Sequence, residues 1–262
     1  MTDTAIRPPV NVYWVPGCSS CLRVKEYLTS HGVAFESRNI HDDLTALADL
    51  ASLGVRRVPI VQIGQQWADG QALKDVAQLC GIDFTAPGPL SPEVLGERVE
   101  AILNKGLEEG HNLKPEILAE EIPGGQGRTY ADLYFHVFHI VETFLKHDEG
   151  VPVTFASYQH LPAPERKTLE DLLAYGNDIK QWVCAWLKQN VQSYPWDAPA
   201  DVYYGQQSIH GLLERTAWHS GQHLRQVLWR LDKVDQQNRL AAAQPLFERL
   251  PMPNAVWTQQ TE

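Results

Sequence analysis

The chain has 262 residues, enough for one large domain or two ordinary ones. With 44% hydrophobic and 21% charged residues it has the composition of a folded globular protein, and a formal net charge of −10 argues against nucleic acid as a general partner. Its apolar runs are too short to span a bilayer, and the opening "MTDTAIRPPV" lacks the charged-then-apolar pattern of a signal peptide, so a cytoplasmic protein without a membrane partner is expected.

The first eighty residues alternate between strand and helix signals. "VNVYWV" reads as a short apolar strand, and "SCLRVKEYLTSHG" as a helix that stops at glycine. "VAFESRNI" alternates like a strand, and "DDLTALADLASLG" is a helix closed by Gly54. "VPIVQIG" and "QQWAD" suggest a hairpin, and "GQALKDVAQLCG" a last helix. The order βαβαββα predicts a mixed sheet covered by helices over residues 10–82.

"DFTAPGPLSPE" carries three prolines and a glycine without periodicity, so residues 83–92 read as a linker. Beyond it the strand signals cease. Helical spacing appears near 93–108, 129–147, 163–191 and 206–234. The third segment shows the stripe Leu172, Tyr175, Ile179, Trp182, Val183 and Trp186. Four such helices predict an all-α four-helix bundle over 93–235, followed at 236–262 by a tail with a short helix. The aromatic loop "YPWDAPADVYYG" is expected to pack rather than line a pocket, and "KHDEG" to be a solvated helix end.

Four cysteines are too few for a disulfide scaffold; Cys80 and Cys184 stand alone and read as small buried hydrophobes. "PGCSSCLRV" is different. Cys18 falls where the first strand ends and Cys21 where the next helix has begun. A thiolate at a helix N-terminus meets unpaired N–H groups and the positive end of the helix dipole, which lowers its pKa. Two intervening residues let the second thiol attack a mixed disulfide on the first. Cys18 is therefore the expected nucleophile and Cys21 the resolving thiol. A zinc site would want a second Cys or His pair nearby, and His31 and His41 do not supply that spacing.

On these motifs the N-terminal segment resembles the glutaredoxins and the related NrdH-type redoxins. "VYWVPGCSSC" is similar to their strand and active-site loop, "RRVPIV" to their cis-proline loop, and "WADGQALKDVAQL" to their closing strand, turn and helix. The resemblance implies a thioredoxin-like α/β fold, Cys18 as attacking thiol, a cis peptide at Pro59, and Val58 as the residue whose backbone pairs with a bound thiol substrate. The chain departs from the family at Val15, where glutaredoxins usually carry a lysine that helps hold glutathione. Arg57 could supply a positive charge near Cys18 or lie solvated on the surface.

In "LLERTAWHSGQHLRQVLWRL", His219 and His223 are four apart and share one helical face, which Leu212, Thr216 and Val227 extend into the core. A buried imidazole left unpaired costs on the order of 1–3 kcal/mol, and a divalent metal between two of them would satisfy both. Hydrogen bonds to neighbouring side chains are the competing reading. "LYFHVFHIVETFL" offers a third candidate, His136 or His139. Three imidazoles with an open position make a reactive centre rather than a structural one.

This half resembles the DinB-like superfamily of four-helix metalloproteins, which includes enzymes that use mycothiol, bacillithiol or glutathione. "FHIVE" is similar to the family's first ligand helix and points to His139; "WHSGQHLRQV" is similar to its H-x-x-x-H-x-x-Q ending and points to His219 and His223. Periodicity places His136 nearer the centre of the apolar stripe, but the family pattern is followed here, giving His139, His219 and His223 as expected metal ligands. The resemblance implies a divalent metal, zinc foremost with nickel or iron as alternatives, and a glutathione-type thiol cofactor.

Together the halves imply a metal-dependent, thiol-dependent transferase or reductase acting on a small electrophile and coupled to dithiol–disulfide exchange. The competing readings are a metal- or redox-responsive binding protein and a plain disulfide reductase with a helical recruitment domain. The expected partners are a small-molecule thiol and an electrophile or disulfide. Proteins resembling either half occur as monomers and dimers, so a homodimer is compatible with the sequence.

Overall fold

The computed structural model describes residues 8–85 and 88–257. Part of the opening segment, two linker residues and the last five residues of the tail lie outside the described residues. The described residues divide into two compact units, one of residues 8–85 with 253–257 and one of residues 88–252.

The first unit is built on a four-stranded sheet of β1 (Val10–Trp14), β2 (Glu36–Asn39), β3 (Ile60–Ile63) and β4 (Gln66–Asp69), in the order β2-β1-β3-β4. β1 runs parallel to β2, with Val12 opposite Ser37, and antiparallel to β3, with Val12 opposite Val61. The two-residue alternation of β1 sends Val10 and Val12 to one face and Tyr13 to the other. On the first face they meet Val24 and Leu28 of α1 (Ser19–Ser30) and Val76 of α3 (Leu73–Cys80). On the second, Tyr13 and Ile60 meet Ala46 and Leu50 of α2 (Leu44–Ser52). This is the expected thioredoxin-like arrangement. Cys80 is buried in the first of these cores, whereas Cys184, in the other unit, is only half-buried.

The second unit is the expected four-helix bundle: α4 (Pro92–Gly110), α6 (Tyr130–Asp148), α7 (Leu169–Asn190) and α8 (Ile209–Asp235), with short α5 (Pro115–Ala119) between the first two. α6 is the most enclosed, packed against α8 and α7, while α4 packs against the same two. Thr129 starts α6 with a capping box, its side chain accepting the Asp132 N–H while the Asp132 carboxylate accepts the Thr129 N–H. Glycines let the helices close: a Cβ at Gly176 on α7 would stand 2.8 Å from the Phe138 ring. α6 and α8 are pinned together where Ser220 Oγ donates to the Val137 carbonyl at 2.7 Å, in the turn that carries the histidines.

Three expectations need correction. The third bundle helix begins at Leu169, not 163; Pro164–Arg166 forms a separate 3-10 turn, and Thr168 caps the true start by accepting from Asp171 N–H. The tail does not behave as one piece, since α9 (Arg239–Ala242) and α10 (Gln244–Phe247) stay with the bundle whereas the segment from Pro253 belongs to the first unit. There the Glu26 carboxylate accepts the backbone N–H groups of Asn254 and Ala255, and Trp257 is buried. Nor is "KHDEG" simply solvated: Asp148 accepts from Trp186 Nε1 at 2.7 Å and from the Tyr194 hydroxyl. Among the described residues, no helix is long and apolar enough to cross a membrane.

Candidate dithiol site and metal centre

Cys18 is the N-cap of α1, and its Sγ accepts the Cys21 N–H at 3.1 Å. No acidic residue stands in the first turn of α1, so nothing there offsets the field that the free N–H groups offer a thiolate. The two sulfurs are joined as a disulfide with the Cα atoms 5.2 Å apart. Cys21 is fully buried, and Cys18, Val15 and Val58 share its apolar cluster. Cys18 is the more accessible of the pair, as an attacking thiol must be.

The Val58–Pro59 peptide is cis, as expected. Its loop is fixed from behind: Gly70 N–H donates to the Pro59 carbonyl at 2.9 Å, and a Cβ on Gly70 would fall 2.9 Å from the proline ring. Arg57 is partly exposed, and its charge is met by an acid rather than by the dithiol. Its Nε donates to the buried Asp69 carboxylate at 2.8 Å, and Asp69 also takes the Gln71 N–H.

In the bundle, His219 and His223 sit one turn apart on α8 with ring centroids 4.9 Å apart. The third imidazole that meets them is His136 of α6, with centroids 5.8 Å from His219 and 5.1 Å from His223. One ring nitrogen from each of the three lies within 4.8 Å of the others, and all three residues are buried.

His139, the expected third ligand, is engaged elsewhere. Its Nδ1 faces Glu142 Oε2 at 2.8 Å and its Nε2 faces the Ser157 carbonyl at 2.8 Å. Both nitrogens are therefore engaged by oxygens of the protein rather than directed at the other three rings. Glu142 is in turn held by the Tyr175 hydroxyl at 2.5 Å and by Lys146 at 2.7 Å. Burial raises the Glu142 carboxyl, but the hydrogen bonds from His139, Lys146 and Tyr175 outweigh it and hold its pKa down at about 2. Phe135 stacks on both His139 and Tyr175. His139 thus belongs to a hydrogen-bonded wall one turn from the cluster. The apolar stripe, rather than the family pattern, had singled out the inward residue.

The electrostatics suit metal ligation. Burial is the largest effect on all three rings and drives them to the neutral form, His223 down to about 4 and His136 and His219 well below their ordinary value. The charges of Arg128 and Arg215 push the same way on His136 and His223, and Arg215 does so on His219. Neutral imidazole is the form that binds a cation. His223 Nδ1 donates to the side-chain Oε1 of Gln226 at 2.7 Å, which leaves Nε2 with its lone pair and fixes the ring, as partners of ligating histidines do. The three residues fit a divalent cation, and a shared ion about 2.0–2.1 Å from each nitrogen would draw them closer together.

Two comparisons match this division of the chain. The Glutaredoxin family matches residues 10–68. The DinB superfamily matches residues 93–227, just over half of the chain, covering α4 through the histidine turns of α8. The chain belongs to the DinB superfamily. Its DinB-like bundle is fused to an N-terminal glutaredoxin domain whose Cys-x-x-Cys pair is the equipment of thiol–disulfide exchange. Among curated proteins and solved structures, none matches the chain.

Sequence reasoning missed one further residue near the DinB-like centre. Arg215, one turn before His219, is buried with its guanidinium carbon 4.4 Å from the Tyr158 ring centroid and 4.8 Å from that of Tyr204. Its position on the same α8 face as His219 and His223 was the available signal. The aromatic loop therefore splits: Tyr194 and Trp196 pack against Trp186, while Tyr204 reaches the neighbourhood of the histidines.

Proposed function

We propose that the protein is a thiol-dependent metalloenzyme, a transferase or reductase acting on a small electrophile, in which the bundle centre works with the glutaredoxin dithiol. The observation that carries this reading is the convergence of three buried, neutral imidazoles from two helices, His136, His219 and His223, with no carboxylate or thiol completing the group among the described residues. Three protein donors leave a position for a substrate, whereas a closed structural site would use four. Zinc heads the candidate metals, with nickel and iron also suited to imidazole.

A divalent cation there would supply a Lewis acid that keeps a coordinated glutathione-type thiol ionised at neutral pH. The chain's own residues do the rest. Gln226 holds His223 in the ligating tautomer, and burial keeps the rings unprotonated. In transfer, the thiolate sulfur forms a bond to the electrophile and the leaving group departs with the bonding electrons. Where the product is a mixed disulfide, Cys18 attacks it and expels one thiol. Cys21 then attacks Cys18 and expels the second, leaving the Cys18–Cys21 disulfide. An external dithiol returns two electrons and two protons to the pair. Fusion raises the effective concentration of one site for the products of the other.

Elemental analysis of purified protein, paired with Cys18→Ser, tests the reading. One equivalent of metal per chain is expected in both, with turnover lost in the variant. Absence of stoichiometric metal leaves only a disulfide reductase with a helical passenger, and undiminished turnover removes the dithiol from the mechanism.

A further inference from the structure

We propose that Lys25 is the counter-charge of the Cys21 thiolate, keeping that sulfur ionised as it attacks a mixed disulfide carried on Cys18. The inference concerns the second half of dithiol exchange in the glutaredoxin domain and rests on the Cys18–Cys21 chemistry above.

Cys21 is the harder of the two thiols to activate. It is fully buried, in a cluster with Tyr13, Ala46, Leu50, Val55 and Ile60. An apolar setting opposes ionisation of a thiol, yet only the thiolate attacks a disulfide. The Cys21 N–H is itself turned to Cys18 Sγ, so the end of α1 serves the first sulfur.

Lys25 stands four residues after Cys21 on α1, which puts the two side chains on one face with Cβ atoms about 5–6 Å apart. Helical side chains lean toward the N-terminus, so a lysine there lies back over the turn that holds Cys21. Its Nζ is 3.9 Å from the centroid of the Trp14 ring, and Trp14 and Cys18 both pack on the cluster that contains Cys21. The indole thus fixes the cation on the dithiol side of the helix.

Among the described residues no acid pairs with Lys25, because the neighbouring charges are matched to one another. Arg38 meets Asp43 at 2.7 Å and Asp49 at 3.4 Å, and Arg57 meets Asp69 at 2.8 Å. Glu26 accepts the N–H groups of Asn254 and Ala255. Burial raises the Tyr13 hydroxyl, which therefore stays neutral. Arg23 lies across the helix from Cys21, where it donates to the Gln71 carbonyl at 3.5 Å. Lys25 is half-buried, and burial pulls its ammonium below its ordinary value, a penalty that an anion beside it relieves.

In the step itself Cys21 gives its proton to solvent. Its sulfur forms a bond to Cys18 Sγ, and the bond from Cys18 to the client sulfur breaks. The client thiolate leaves with the electron pair and takes a proton from solvent. Lys25 keeps its own proton throughout and acts through Cys21 alone.

The test mixes the reduced full chain with dipyridyl disulfide, an uncharged reagent, in a stopped-flow spectrometer. A Cys184→Ala background silences the half-buried thiol of the other unit. Attack by Cys18 releases one thiopyridone at a rate that follows reagent concentration, and attack by Cys21 releases a second at a rate that does not. Lys25→Met keeps the stem over Trp14 and should raise the pH midpoint of the second release by about 1–3 units, the reach of a nearby opposite charge. At neutral pH that release should slow by about threefold per unit, since scarcer thiolate is partly offset by stronger nucleophilicity. The first release should be unchanged, and Lys25→Arg should restore the midpoint. A midpoint that stays put in Lys25→Met, or that arginine fails to restore, overturns the inference. Equal slowing of both releases overturns it too, since that marks a merely structural role. Absence of the first release from the wild-type chain overturns the dithiol chemistry itself, so the two failures remain distinct.

Discussion

Lowering the pH of metal-free protein from 7.5 to 5.0 should destabilise the bundle before any carboxylate of ordinary pKa titrates. His223 is pushed down from 6.5 to about 4 in the folded state, chiefly by burial. A depressed histidine gives stability that is fully present above the unfolded value and is lost as pH falls toward the folded one, because between the two the unfolded chain binds more protons. At pH 5.0, His223 alone accounts for about 2 kcal/mol of that loss, from one pKa unit being worth 1.36 kcal/mol. His136 and His219 shift in the same direction and add to it. For a unit of this size about 2 kcal/mol corresponds to a fall in Tm of roughly 4–8 °C. Thermal unfolding followed by far-ultraviolet circular dichroism, which weights the helical bundle, reads the shift; saturating zinc at pH 7.5 should raise Tm instead, by mass action on the folded state. A Tm that stays level between pH 7.5 and 5.0 and drops only below pH 4 would refute the reasoning, since the loss would then belong to carboxylates.

His136→Ala should abolish stoichiometric metal binding while His139→Ala retains it, and equilibrium dialysis with zinc distinguishes the two. Removing His139 should instead cost about 1–3 kcal/mol in urea unfolding, because Glu142 and the Ser157 carbonyl lose a shared hydrogen-bond partner. Gln226→Ala frees the His223 tautomer and should weaken metal affinity about 10–100-fold without eliminating it, as competition with a chromophoric chelator would measure. Gly176→Ala drives a methyl into the Phe138 ring and should destabilise the bundle by about 1–3 kcal/mol, visible as a lower urea midpoint with an unchanged slope.

What the sequence made legible was what repeats or what chemistry marks. Alternation in "VNVYWV" and the 3.6-residue stripes of the long helices exposed both folds, because burial on one face must leave a period. The Cys18–Cys21 pair and the His219–His223 pair were readable for the same reason, each lying within one turn of one helix. His136 required knowing how α6 rotates against α8, and that rotation is set by Ser220 reaching the Val137 carbonyl and by the small glycines beside Phe138, none of which has a local signature. The stripe nonetheless carried the answer, since a residue at its centre faces the neighbouring helix. Glu142, three residues beyond His139, was a visible sign that this second ring had a carboxylate of its own. Arg215 was masked by its charge: a cation on a core face is read as solvated unless the rings that surround it, here from distant loops, are already in place.

The return of residues 253–257 to the first unit has a consequence for biosynthesis. A domain assembled from two stretches of chain cannot be completed in the order in which it is made. The residues that form the sheet and the dithiol helix leave the ribosome early, yet the amides that satisfy Glu26 and the indole of Trp257 arrive only after every helix of the bundle. The nascent glutaredoxin portion therefore waits with that flank uncovered, and its final stability is conferred last.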